Sequence, residues 1–127
     1  MPWLSFFAVG SGAALGAWMR WGFGLWLNPV FPTVPLGTVT ANLFGGFLMG
    51  IVMSAADTLG FAPATRLLLS TGFLGGLTTF STFSAETTTL LLRQQYGWAG
   101  VIVAVHVGGS LLLTGVGLLL ARAALAR

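Results

Sequence analysis

The chain has 127 residues, 56% of them hydrophobic and only 6% charged, with a formal net charge of +3. A soluble domain carries roughly a quarter charged residues, and the seven here (Arg20, Arg66, Arg93, Arg122, Arg127, Asp57 and Glu86) cannot cover a water-facing surface. Lipid is therefore the expected solvent. The arginines are single and far apart, which excludes a nucleic-acid patch, and the absence of cysteine excludes disulfides and thiolate metal sites.

Four hydrophobic spans are expected, over about 3–27, 36–56, 65–92 and 98–121, in one domain covering 1–127. Each is long enough for the ~20 residues that a helix needs to cross the hydrocarbon. The reading is an all-α, multi-pass membrane protein. No Lys or Arg precedes the first stretch, which is too long for the apolar core of a secretory signal. Short connections are expected from Asn28 to Pro35, from Asp57 to Pro63 and from Arg93 to Gly97. Trp3, Trp26 and Trp98 fall near predicted ends, where indole favours the headgroup layer.

Helical residues four apart share a face. In the first span Gly12, Gly16, Arg20 and Gly24 make such a row, so Arg20 points into the bundle. A guanidinium there is costly unless it reaches the interface or a partner. Structural anchoring and a positive field that draws anions are both open to it. The second span gives Thr38, Asn42, Gly46 and Gly50, and the fourth gives His106, Ser110 and Thr114. Gly12/Gly16, Gly46/Gly50 and Gly72/Gly76 are GxxxG pairs that permit close backbone approach.

The third span differs from the rest. A glycine patch, Gly72 to Gly76, leads into Thr78-Thr79-Phe80-Ser81-Thr82-Phe83-Ser84-Ala85-Glu86. Glycine lowers helix propensity and hydroxyls offer the backbone other partners. A helix interrupted around Gly75–Ser81 is expected; the alternative is a Ser/Thr-rich helix packed on its neighbours. Interrupted backbone at membrane depth needs protein or a polar cavity around it.

His106 with Ser110 one turn away resembles a catalytic pair, but no G-x-S-x-G nucleophile elbow is present. One His and one distant Glu do not make a metal-ligand set. No enzyme is expected.

Gly37-Thr38-Val39-Thr40-Ala41-Asn42-Leu43-Phe44-Gly45-Gly46 and the segment from Gly72 to Glu86 resemble the signature segments of the Fluc (CrcB) fluoride channel family. Gly12 to Arg20 resembles its first-helix motif, and Gly109-Ser110 with Thr114 its fourth. The resemblance runs through all four spans. It implies an antiparallel, dual-topology homodimer in the bacterial cell inner membrane, passively exporting fluoride to lower its cytoplasmic level through two pathways. It further implies a structural, untransported sodium ion (Na+) at the dimer interface, held by the backbone carbonyls of Gly75 and Thr78 of both subunits.

Carried over residue by residue, the resemblance places Asn42, Phe80, Phe83, Ser110 and Thr114 on the fluoride pathway. Ser81, Thr82, Glu86, Arg20 and His106 are added to it as further candidates. His106 departs from the family's small polar residue, and a titrating imidazole there would make conduction mildly pH-dependent. Glu86 either accepts hydrogen bonds from nearby hydroxyls or helps relay the ion.

The residue types suit that chemistry. A pore for fluoride must replace its water with other donors, and amide, hydroxyl and electropositive ring edges are such donors. Four packed helices leave little room for a pore, so the path needs a second copy. With the N-terminus inside, Arg66, Arg122 and Arg127 are inside against Arg20 and Arg93 outside, a balance that suits insertion both ways.

Two other classes compete. A small dual-topology, proton-coupled multidrug exporter would want a carboxylate in its first helix, where this chain has Arg20. A small assembly subunit of a larger membrane complex would have packing glycines without the polar rows.

Overall fold

Backbone in lipid must close its hydrogen bonds internally, and the elements of this chain are helices throughout. The computed structural model describes residues 2–126. Met1 lies outside the described residues, as does Arg127 with its share of the arginine balance. No strand occurs among the described residues.

Helix α1 runs over Pro2–Leu27, and a single 3-10 turn, Asn28–Val30, follows it. Helix α2 runs over Leu36–Leu59. Helix α3 covers 63–77 as a first turn Pro63–Arg66, a π-helical stretch Leu67–Leu74 and a last turn Gly75–Leu77. Thr78 and Thr79 are extended, and α4 resumes over Phe80–Leu92. Helix α5 spans Tyr96–Leu125 and contains a second π-helical stretch, Ala104–Gly108. By composition α2 and α5 are long and apolar enough to cross a membrane, with mean hydropathies of 1.6 and 2.0. Tryptophan and glycine make α1 less apolar by that index, although its 26 residues reach ~39 Å at 1.5 Å each.

Two helix boundaries differ from the sequence expectation. The second connection does not begin at Asp57: α2 continues to Leu59 and stops at Gly60, whose φ of 65° is left-handed. An acidic side chain at an exposed helix end is tolerated, whereas a left-handed stop calls for glycine. Arg66 then closes the corner. Its Nη2 donates to the Ala56 carbonyl at 3.0 Å, its Nε to Phe61 O at 3.3 Å, and its Nη1 lies 3.3 Å from Asp57 Oδ1. The ion pair is exposed and contributes little; the cation over the last carbonyls of α2 matters more. The third connection is shorter than expected, because α5 starts at Tyr96, ahead of Gly97 and Trp98.

The start of α2 is capped from a distance. Pro35 offers no side-chain donor or acceptor, and Asn28 Oδ1 instead accepts from Gly37 N–H at 2.7 Å. Thus the turn after α1 fixes the entry angle of α2.

Small residues set the two tightest crossings. A Cβ at Gly12 would stand 2.5 Å from the Leu68 carbonyl oxygen, and one at Gly16 would stand 2.6 Å from Leu77 N. The contacts advance together along both chains, so α1 and α3 run parallel. Likewise a Cβ at Gly50 would stand 2.6 Å from Leu118 N, so α2 and α5 run parallel too. These backbone-to-backbone seams are how helices associate where lipid removes the hydrophobic drive.

The buried core is small. Ala41, Leu74 and Leu77 form one cluster, and Val34, Phe83, Leu90, Ala99 and Ile102 form another. Trp3, Phe6, Phe7, Trp18, Trp21 and Trp26 of α1 and Leu111, Leu112, Leu119 and Leu120 of α5 are exposed. That much open apolar surface belongs to a helical membrane protein. Gly50→Val should therefore destabilise the fold by ~2 kcal/mol or more through overpacking. Gly10→Ala, whose Cβ meets nothing within 4 Å, should be neutral or slightly stabilising; thermal unfolding in detergent measures both.

Candidate functional site

The site is built on the two peptide groups that flank one residue, Thr79. Between α3 and α4, Thr78 has φ −87° and ψ 156°, and Thr79 has φ −149° and ψ 121°. Extended residues at that depth leave their N–H and C=O without helical partners, which is costly unless something else bonds them. Asn42 of α2 supplies both partners. Its Oδ1 accepts from Thr79 N–H at 2.7 Å and its Nδ2 donates to the Thr79 carbonyl at 2.9 Å. The side-chain amide thus stands in for a strand partner. Its second amide hydrogen meets His106 Nδ1 at 2.9 Å.

The two helix ends beside this peptide are closed by threonines. Thr78 donates to the Leu74 carbonyl twice, from its N–H at 3.0 Å and from its hydroxyl at 2.8 Å. Thr79 caps α4, its Oγ1 accepting from Thr82 N–H at 3.1 Å. Carbonyls at the interruption lose their usual donors as a result, those of Gly75 and Thr78 among them. The Thr79 N–H that would reach Gly75 O is turned to Asn42, and the Thr82 N–H that would reach Thr78 O is turned to the cap. The Gly76 carbonyl accepts from Arg20 Nε at 3.1 Å. So the Arg20 guanidinium, predicted to face the bundle, holds the end of α3.

The predicted residues fall into two cavities, and Thr79 lines both. The larger, about 460 Å³, is walled by Asn42, Phe80, Phe83, His106, Ser110 and Thr114, with Gly75 and Thr78 at its edge. The smaller, about 320 Å³, holds Arg20, Asn28, Thr38 and Thr82. Glu86 lines neither of them. Its Oε2 accepts from the Thr38 hydroxyl at 2.7 Å, and its Oε1 is buried with no partner among the described residues. Ser81 is exposed, with its Oγ 3.3 Å from Thr79 Oγ1.

The two phenylalanines are not equivalent. Phe83 is 7% exposed and Phe80 75% exposed, their rings meeting edge to face at 5.4 Å. Phe83 carries the His106 ring stacked on its face at 4.6 Å, whereas Phe80 stands on the open side of the larger cavity.

Several hydrogens that the sequence offered to an anion are engaged here. Both Asn42 amide hydrogens are spent on Thr79 and His106. The Thr114 hydroxyl hydrogen is directed at the Gly46 and Ser110 carbonyls, at 2.9 and 2.8 Å. Thr82 Oγ1 accepts from Thr79 Oγ1 at 3.1 Å, so its own hydrogen remains to donate. Sequence reasoning missed Thr79 as the pivot and the Asn28 cap; it gave Glu86 hydroxyl donors as one alternative, and the Thr38 hydroxyl is such a donor. A primary amide four residues from the row's Thr38 was the available signal, since it carries a donor and an acceptor side by side.

The family model described as CrcB-like protein, Camphor Resistance (CrcB), matches residues 7–118. The chain belongs to the CrcB family. Proteins named fluoride-specific ion channel FluC match it along most of its length. That of Nitrosospira multiformis is 59% identical, covering 88% of each chain. That of Aromatoleum aromaticum is 56% identical over 89% of this chain and 87% of its own, and that of Cupriavidus necator is 56% identical over 91% and 92%. Every site residue from Asn42 to Thr114 lies inside the stretch matched by the CrcB model.

Replacing Asn42 by Ala should strand the Thr79 N–H and C=O together and cost ~2–4 kcal/mol, two unmet backbone groups. Thermal unfolding gives the loss, and hydrogen exchange at the Thr79 amide should quicken where exchange in α2 and α5 does not.

Proposed function

We propose that this CrcB protein is a fluoride-selective channel that lets fluoride leave a bacterial cell passively across its inner membrane. The observation that carries the reading is the near-full-length identity, 53–59%, to proteins named fluoride-specific ion channel. The chain is not an enzyme. An inside-negative potential favours expulsion of a monovalent anion by ~2.3 kcal/mol per 100 mV, so no coupling is needed.

The geometry supports a pathway that a second copy completes. In one chain the larger cavity is an open groove with Phe80 on its exposed side, and a conducting path needs walls all round. An antiparallel partner would close it, and the near balance of arginines between the two sides suits a protein inserted both ways. Fluoride would pass along Phe80, Phe83, Ser110 and Thr114, meeting ring edges and hydroxyls. Arg20 of α1 and Thr82 of α4, which line the smaller cavity, would attract and receive it there, with Ser81 next to Thr82 along α4. Asn42 in this reading borders the path and holds the interruption, since its hydrogens are committed.

Sodium fits the donor set at the interruption. The Gly75 and Thr78 carbonyls have lost their helical donors, and a hard monovalent cation prefers such oxygens, as at broken helices of transporters. No cluster of three His, Cys, Asp or Glu exists among the described residues to hold a metal otherwise. When bound by both subunits, sodium supplies positive charge that satisfies carbonyl lone pairs and ties the two chains together. Glu86, bonded to Thr38 and lining neither cavity, gives a proton-coupled exporter no carboxylate in the larger one.

Vesicles loaded with potassium fluoride and made permeable to potassium should release fluoride when they carry this protein, and retain chloride. Release no faster than from empty vesicles would end the reading. Phe80→Ile should slow fluoride release at least about tenfold, ~1.4 kcal/mol on the barrier, with dimer and fold retained. Exchange of sodium for a larger monovalent cation should lower both the flux and the unfolding temperature of the dimer.

A further inference from the structure

Resting on the channel reading, we propose that His106 is a positioning residue that orients Asn42 and, through it, the Thr79 peptide at the interruption. The hydrogen-bond directions follow from what each atom can do. Thr79 N–H can only donate, so the Asn42 atom 2.7 Å away is the carbonyl oxygen. The Thr79 carbonyl can only accept, so the atom 2.9 Å from it is the amide nitrogen. That nitrogen has one more hydrogen, and His106 Nδ1 lies 2.9 Å from it. Two donors cannot share one hydrogen bond. Nδ1 therefore carries a lone pair, and the ring is neutral with its proton on Nε2.

The rest of the pocket leaves the ring no other polar task. His106 is 3% exposed, and its Nε2 is buried with no partner among the described residues. Its face is stacked on Phe83 at an interplanar angle of 29°. Among the described residues, no charged side chain lines the cavity wall that it shares with Asn42, Phe83 and Ser110. The π-helical stretch Ala104–Gly108 carries His106 at its centre, and such local widenings re-aim side chains at functional positions. One polar bond and one stacked face thus hold the ring, and the bond ends on Asn42. Without the acceptor at Nδ1, Asn42 would gain by turning its spare hydrogen elsewhere, and its grip on Thr79 would loosen.

His106 is the chain's single histidine, so one labelled imidazole reports on it. Nitrogen-15 NMR of the reconstituted dimer should show a neutral ring protonated on Nε2, with Nδ1 shifted by an accepted hydrogen bond; Asn42→Ala should remove that shift. A proton on Nδ1 in the unmodified protein would overturn the proposal, whatever the variants do. For flux, His106→Leu should lower fluoride release roughly tenfold, one unmet buried donor, and speed exchange of the Thr79 amide. His106→Asn should recover most of the loss, because its Oδ1 stands where Nδ1 stood, two bonds from Cβ. Wild-type protein that conducts fluoride while His106→Leu conducts equally well, or His106→Asn no better than His106→Leu, would overturn the positioning role and leave the channel reading intact.

Discussion

Extended backbone between two membrane helices is stable only where its freed N–H and C=O groups are bonded, and here a single primary amide bonds both groups of the central residue, Thr79. Asn42 presents an acceptor and a donor side by side, so it pairs with the N–H and C=O of Thr79 as one residue of a neighbouring strand would. Everything beside it depends on that pairing. It turns the Thr79 N–H away from α3, frees the Gly75 carbonyl, and allows Thr79 to cap α4 with its hydroxyl. The end of α3 is then secured from the opposite side by Arg20 on the Gly76 carbonyl.

The interruption also divides the interior. The smaller cavity, with Arg20 and Thr82, and the larger, with the phenylalanines and the α5 polar row, both reach Thr79. In the proposed channel, an anion drawn by the Arg20 guanidinium in the smaller cavity would pass Thr79 to reach the ring edges and hydroxyls of the larger. Glycine seams bring α1 against α3 and α2 against α5 at backbone contact. The same seams, made by small residues, explain why few large side chains are fully buried in the chain's core.

Much of this was legible in the sequence because periodicity and composition act locally. The four-residue rows placed Asn42, Gly46 and Gly50 on one face of α2, and Gly50 and Gly46 do meet α5. The hydroxyl-rich segment after Gly75 and Gly76 marked where regular helix would be weakest, and the extended residues fall within it. Membership of the CrcB family followed from motifs spread over the whole length. What the sequence withheld was partnership between distant elements. The pairing of Thr38 with Glu86 and of Asn28 with Gly37 depends on tertiary placement. So does the difference between an open Phe80 and a buried Phe83, three residues apart on one helix. Donor inventories also overstate what is available: an amide or hydroxyl counted from the sequence as free for an anion can be spent on the protein's own backbone, as at Asn42 and Thr114.

The account stands on selective anion passage beside this amide-held interruption. Current recorded across a planar bilayer containing the purified protein, under opposing fluoride and chloride gradients, tests it most directly. The account predicts a current that reverses at the fluoride equilibrium potential and ignores chloride. A reversal potential that follows chloride, or a silent bilayer, would contradict it.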